Sequence, residues 1–370
     1  HPLFAAPEVD AVRRPDDTWL VSSRVPLGEH VASVGAWLQR WAAEVPDRIL
    51  LAERATADEE WHTVTYADTW EAARELAGAL LVAGLGPDRP LAVLSGPSVA
   101  HGQLMLAAHL AGVPLVPVSV AYSLIADDPA KLLHIVGQTR PGLVFVEATE
   151  PFRRALGHLD RSGVVGDQAI VSGDGGVGRS LSELRATGAP AVADGRVDAA
   201  YAAVGPDHLA KILYTSGSTW LPKGVLTTHR MLCSNQQAIS QVWPFLTDSP
   251  PVVCDWLPWS HTFGSSHNFN LVLANGGSLY VDAGKPMPGL FDLTAANLAD
   301  VRPTICFNVP AGYARLVERL EADAELAAAF FERLELIFYA AAALPDDLWR
   351  RLEAASRVAT GRVVPMTSSW

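Results

Sequence analysis

Apolar residues in this chain recur in two alternating rhythms. From residue 65 onward Trp70, Ala73, Leu76, Ala77, Leu80 and Leu81 fall on one side of a 3.6-residue repeat, which predicts an amphipathic helix. Thr65 stands where it can cap that helix, with Asp68 three residues on in the reciprocal capping position, and Gly84 and Gly86 end it. Residues 91–94 then read as a short buried strand, 99–111 as a helix and 113–118 as another strand, which together make a βαβ unit. A helix near 131–136 and a strand at 143–146 continue the alternation. Short β-rich runs alternate with helical patterns nearly throughout, so the fold class is α/β. No internal repeat is evident.

One apolar run, residues 104–122, is about long enough to span a bilayer. It contains His109, Gly112, Pro114 and Pro117, and its pattern changes at Gly112, so helix, break and buried strand is the reading adopted. Residues 172–204 are rich in Gly, Ala and Asp and are expected to link or decorate subdomains. They include Gly173-Asp174-Gly175-Gly176-Val177-Gly178, a literal GxGxxG after a strand-like 169–171. The helix expected after it, 181–185, is very short and no second strand follows. A flexible loop is therefore expected there, not a dinucleotide site.

Composition narrows the class further. The 370 residues carry 40 acidic and 28 basic side chains, a net charge of −12, which disfavours nucleic acid as a partner. A few local donors could still hold ATP against such a field. The slightly positive mean hydropathy comes largely from alanine and gives no membrane signal. Three widely spaced cysteines, Cys233, Cys254 and Cys306, form no CxxC pair. They suit buried thiols in a reducing, cytoplasmic setting rather than disulfides or a zinc site. No signal peptide is visible, and the first residue is His1 rather than Met. The length suits two or three subdomains.

The most informative segment is residues 211–225. A strand ending at Tyr214 runs into Thr215-Ser216-Gly217-Ser218-Thr219-Trp220-Leu221-Pro222-Lys223-Gly224, and a second strand follows near 225–228. Hydroxyls and backbone N–H groups in such a loop can converge on phosphate oxygens, with Lys223 adding positive charge. Gly217 and Gly224 permit close or left-handed backbone, and Pro222 restrains the turn. No GxxxxGK followed by Ser or Thr is present, so this is not a Walker loop. On composition alone a phosphate cradle and an ordinary polar hairpin loop stand level.

The pattern TSGSTxxPKG resembles the phosphate-loop signature of the adenylate-forming superfamily, which includes acyl-CoA synthetases, peptide-synthetase adenylation domains and luciferases. The likeness continues in order and spacing. Thr228-His229-Arg230-Met231-Leu232-Cys233 resembles the helix after the loop. Asp255-Trp256-Leu257-Pro258-Trp259-Ser260-His261-Thr262-Phe263-Gly264 is similar to the signature whose histidine lies beside the reacting carboxylate, and Tyr339-Ala340-Ala341-Ala342-Ala343-Leu344 to the turn against adenine. Detailed resemblance is greatest to feruloyl-CoA synthetases, in residues 118–124, 255–281 and 307–312, and covers nearly the whole chain.

The resemblance implies the large N-terminal, AMP-binding domain of such an enzyme. Layered subdomains of mixed and parallel sheets flanked by helices are expected, the first over about 1–200 and the second, with the phosphate loop, over 201–370. It implies ATP-dependent conversion of a hydroxycinnamic acid such as ferulate to acyl-AMP and then its coenzyme A thioester, with Mg²⁺, in aromatic-acid catabolism. Within it Thr215, Ser216, Gly217, Ser218, Thr219 and Lys223 hold phosphates, Ala341, Ala342 and Trp370 bound adenine, and His261 orients the carboxylate or gates the thiol. Phe263, His267, Asn268, Phe307 and Asn308 are candidates for the acyl pocket, with ordinary core packing the alternative for each.

Two departures stand out. Trp220 occupies a position where the family carries glycine, and an indole there would block or stiffen the loop. The sequence stops at Trp370, before the family's acidic metal ligand, ribose-binding aspartate, hinge and small C-terminal domain with its lysine, so the chain alone is expected to be inactive and part of a longer enzyme. A ligase for another aryl or medium-chain acid, a carrier-loading domain and an impaired acyl- or nucleotide-binding module are the rival readings.

Overall fold

The computed structural model describes residues 2–163, 169–215 and 221–368. Three sheets organise them, together with an isolated N-terminal hairpin of strands Val9–Arg13 and Trp19–Ser23, exposed along both strands. The seven-stranded sheet runs in the order Lys223–Thr228, Leu209–Thr215, Leu115–Pro117, Leu91–Val93, Leu143–Val146, Ile170–Ser172 and Arg179–Ser180, parallel apart from the first pair. Its central strands are buried on both faces, which is why they read as continuous apolar runs.

The local expectations before residue 150 match the structure. Helix Tyr66–Val82 starts on a complete capping box: Asp68 N–H donates to Thr65 Oγ1 at 3.1 Å and Thr65 N–H to Asp68 Oδ2 at 3.0 Å. Helix Val99–Ala111 ends at Gly112 with φ 68°, a left-handed cap that glycine adopts without strain, and strand Leu115–Pro117 follows. The apolar run at 104–122 is thus a helix, a break and a strand. No helix among the described residues is long and apolar enough to cross a membrane.

The Gly-rich segment differs from expectation in two ways. Helix Leu181–Ala193 is 13 residues long, started by a capping box between Ser180 and Glu183 and continuing through alanines past Pro190. It packs on helix Tyr66–Val82 where a Cβ on Gly188 would lie 1.8 Å from the Glu75 carbonyl oxygen, so bare glycine sets the contact. The turn at 173–178 is tied down: Asp174 accepts from Thr149 N–H at 2.7 Å, Thr149 Oγ1 at 2.8 Å and Gly176 N–H at 3.0 Å. An anionic side chain occupies the donors that a dinucleotide phosphate would need.

A four-stranded sheet runs Val252–Asp255, Ser278–Asp282, Ile49–Arg54, His62–Thr65, and a parallel three-stranded sheet runs Ile305–Asn308, Leu336–Tyr339, Met366–Ser368. Strands from either side of residue 200 share two of these sheets: Ile49–Arg54 pairs with Ser278–Asp282, and Leu115–Pro117 with Leu209–Thr215. The expected boundary near 200 therefore does not separate the sheets. All three cysteines are buried thiols.

Candidate functional site

Strands Leu209–Thr215 and Lys223–Thr228 form an antiparallel ladder in which Thr215 is the register partner of Lys223. The two strands thus pair as a hairpin whose last register pair, Thr215 and Lys223, is exposed. Just before strand Lys223–Thr228, the Pro222 carbonyl accepts from His134 Nε2 of helix Ala130–Thr139 at 3.0 Å. Ser216, Gly217, Ser218, Thr219 and Trp220 lie outside the described residues, as does Trp370.

Beside the root of this hairpin opens a cavity of about 940 Å³. Thr215, His261, Thr262, His267, Thr367 and Ser368 are among the residues that line it. Helix His229–Val242 supplies an apolar wall through Met231, Leu232 and Ile239. Thr215 and Ser368 end strands of parallel sheets, and ligands of open α/β sheets gather at those carboxyl ends.

Residues 256–269 bring the histidines to this cavity. His261 caps a π-helical turn, Thr262–Phe269, its Nδ1 accepting from Phe263 N–H at 3.2 Å. With Nδ1 used as an acceptor, the neutral ring carries its proton on Nε2. A Cβ on Gly264 would meet the Leu257 and Pro258 carbonyl oxygens at 2.6 Å, so only glycine lets the turn fold back on the preceding loop. Gln236, fully buried, donates to the Ser266 and His267 carbonyls at 3.1 and 3.3 Å and fixes the turn to helix His229–Val242.

His267 stacks on Phe338 at 5.0 Å and meets Phe307 edge-on at 5.4 Å, with Phe263 at 5.9 Å and Trp243 at 6.2 Å. Its Nδ1 lies 2.9 Å from Asn268 Oδ1, Asn268 Nδ2 donates to Asp255 Oδ2 at 2.7 Å, and Leu257 N–H donates to Asp255 Oδ1 at 2.8 Å. Burial pushes the His267 pKa down to about 4 and that of the Asp255 carboxyl up to about 7, in each case against its hydrogen bonds.

The candidates thus fall into groups. Thr215, His261 and His267 meet on one cavity. Phe263 and Phe307 are buried behind its aromatic wall, and Asn268 is enclosed behind His267. Asn308 ends strand Ile305–Asn308 and is buried, its Oδ1 accepting from Val309 N–H at 2.9 Å. Lys223 stands at the hairpin root, off the cavity wall. Ala341 and Ala342 are exposed beyond strand Leu336–Tyr339, and Ala341 holds φ 75°, an uncommon backbone state for a residue with a Cβ. Trp243, Phe338 and Asp255 were missed as site residues. The one sequence signal was the charge of Asp255 at the end of an apolar strand. Among the described residues no group of three or more His, Cys, Asp or Glu side chains could hold a metal ion.

The model of a family described as AMP-binding enzyme matches residues 38–365. Phosphinothricin tripeptide synthetase of Streptomyces viridochromogenes is 30% identical over 54% of this chain and 15% of its own length. A methyl-dioxo-octahydroindenyl-propanoyl:CoA ligase of Rhodococcus jostii is 27% identical over 58% of this chain and 42% of its own length. The chain thus spans less than half the length of these curated relatives. A long-chain-fatty-acid–CoA ligase structure from Archaeoglobus fulgidus shares the fold, with a TM-score of 0.74 and 17% identity over 93% of this chain and 65% of that one. The α/β fold described above is that of the N-terminal domain of adenylate-forming enzymes, and the chain belongs to the AMP-binding enzyme family.

Proposed function

We propose that this chain is the ATP- and acid-binding part of an enzyme that activates an aromatic, hydroxycinnamic acid as its acyl-AMP and transfers the acyl group to coenzyme A. The observation that carries the reading is the cavity that joins Thr215 at the phosphate-loop root to His261 and the aromatic wall of His267 and Phe338. A carboxylate oxygen attacks the α-phosphorus of ATP and pyrophosphate leaves. The thiolate of coenzyme A then adds to the acyl carbonyl, and AMP leaves with its phosphate oxygen. The protein's share in this is position and charge stabilisation.

In this reading Thr215, Ser216, Gly217, Ser218, Thr219 and Lys223 bind the departing phosphates. Ala341, Ala342 and Trp370 flank adenine, and Mg²⁺, when bound, neutralises phosphate charge. His261, with its proton on Nε2, acts as a hydrogen-bond donor toward the substrate carboxylate. It is not required as a base, because the acid is already ionised at neutral pH. Phe263, His267 and Phe307 form the flat aromatic surroundings that suit a planar arylpropenoate, backed by Asn268 and Asn308. A cytoplasmic location accords with three buried, unpaired thiols.

The test is acid-dependent exchange of pyrophosphate into ATP by the full-length protein with ferulate, 4-coumarate, benzoate and octanoate, followed by thioester assay with coenzyme A. Fastest turnover is expected with the hydroxycinnamates. Exchange driven best by octanoate or benzoate would move the substrate class, and transfer to a carrier protein in place of coenzyme A would move the acceptor. Failure of all four acids would overturn the reading.

A further inference from the structure

His267 reaches the cavity wall from a buried chain of polar groups whose hydrogen-bond directions fix one another. Asp255 ends strand Val252–Asp255 with its carboxylate enclosed. Burial raises the Asp255 pKa to about 7, and above that pH the ionised carboxylate only accepts, so the amide of Asn268 turns its NH₂ end toward Asp255 Oδ2, 2.7 Å away. The carbonyl end of the same amide then faces His267, and at 2.9 Å the imidazole Nδ1 has to be the donor. Reversing the amide would set its oxygen against the carboxylate and is disfavoured by charge. The second carboxylate oxygen is occupied by Leu257 N–H at 2.8 Å, which prevents Asp255 from swinging away.

The ring plane is fixed as well. Phe338 stacks on it at an interplanar angle of 25°, while Phe307 at 78° and Trp243 at 75° close it in edge-on. A buried imidazole with its pKa pushed down to about 4 is neutral at physiological pH, so its second nitrogen, Nε2, carries a lone pair and no hydrogen.

We propose that Asp255 and Asn268 are positioning residues that lock His267 in its Nδ1–H tautomer, giving the aromatic wall hydrogen-bond-acceptor chemistry matched to acids that carry a hydroxyl donor on the ring. The tautomer lock stands on the hydrogen-bond geometry together with an ionised Asp255 and a neutral His267 ring. Its consequence for substrates rests on the acyl-pocket reading above. His261 and His267, six residues apart, then serve in opposite senses: one ring keeps its proton on Nε2 and the other on Nδ1.

Two measurements on the full-length protein test this. The first is ¹⁵N NMR of the histidine rings at pH 8, with the His267 signals assigned by their loss in His267→Phe. An Nδ1–H, bare Nε2 pattern is expected in the parent protein, and a mixture of tautomers in Asp255→Asn, where a neutral amide lets Asn268 reverse. A His267 ring protonated on Nε2 in the parent, or a pattern unmoved by either Asp255→Asn or Asn268→Leu, overturns the proposal whether or not the protein activates any acid. The second compares 4-coumarate with cinnamate, which differ by one ring hydroxyl. The parent is expected to favour 4-coumarate about tenfold in KM, as one hydrogen bond gives, and Asp255→Asn to shrink that ratio. An unchanged ratio beside an altered tautomer overturns the substrate half alone. Failure of every acid would instead strike the function reading, leaving the tautomer to the spectra.

Discussion

Lys211 offers the sharpest test of the energetics. It lies in strand Leu209–Thr215 with none of its surface exposed, its Nζ 3.9 Å from Met105 Sδ, and its charge couples to the buried imidazoles of His101, His109 and His229. Burial pushes its pKa from 10.5 down to about 7. Between these values the unfolded chain holds a proton that the folded chain has lost, so stability rises with pH across the window. The gap of about 3.5 pH units, at ~1.4 kcal/mol each, amounts to roughly 5 kcal/mol of native-state penalty at pH 7 and below. At pH 8 the remaining penalty is roughly 3 kcal/mol, and it fades toward pH 10.5. Lys211→Met keeps nearly the same length without the ammonium. The variant is expected to be more stable than the parent by about those amounts in urea unfolding monitored by tryptophan fluorescence. The difference should narrow as pH climbs from 7 to 10. Parallel stability–pH curves for the two proteins would refute the claim that an uncompensated ammonium is buried there. So would a Met variant less stable than the parent at pH 7.

Three other outcomes follow from the same geometry. Gly312→Ala should cost about 1–3 kcal/mol of stability by overpacking and disturb the acyl pocket, because a Cβ there would lie 2.0 Å from Asn308 Oδ1; urea midpoints and acid-dependent exchange read both effects. The thiols of Cys233 and Cys306, pushed up to about 12 by burial, should stay unreacted with an aromatic disulfide reagent at pH 8 in the native protein. Cys254, raised by burial as well, should behave alike, with all three titrating once denaturant is added. Trp220→Gly in the full-length protein should raise ATP–pyrophosphate exchange, since glycine lets a phosphate loop close on its ligand; an equal or lower rate would show the indole to be harmless.

What could be read from the sequence was whatever neighbouring residues decide among themselves. The capping box at Thr65 and Asp68, the left-handed stop at Gly112 and the βαβ alternation each depend on residues a few positions apart, and each stands in the structure. The same locality misled at residues 181–193, where a composition rich in Gly, Ala and Asp suggested a linker with only a very short helix over 181–185. Glycine-mediated contact with helix Tyr66–Val82, more than 100 residues away in sequence, stabilises a full helix there instead. Sheet partnership was beyond reach for a related reason: Ile49–Arg54 joins Ser278–Asp282 across more than 200 residues, and nothing in either run names the other. The candidate site divides along the same line. Thr215, Lys223, His261 and His267 could be named as candidates from sequence because a motif carries each, and of these Thr215, His261 and His267 line the cavity. Trp243 and Phe338 became visible only when helix His229–Val242 and strand Leu336–Tyr339 converged on His267. Asp255 is the instructive case. Its charge interrupts an apolar strand and reads alone as a structural oddity. Thirteen residues later Asn268 turns it into a determinant of which imidazole nitrogen bears the proton. A polar residue enclosed at a strand end is thus best judged by following its hydrogen bonds outward until they reach a surface a ligand could touch.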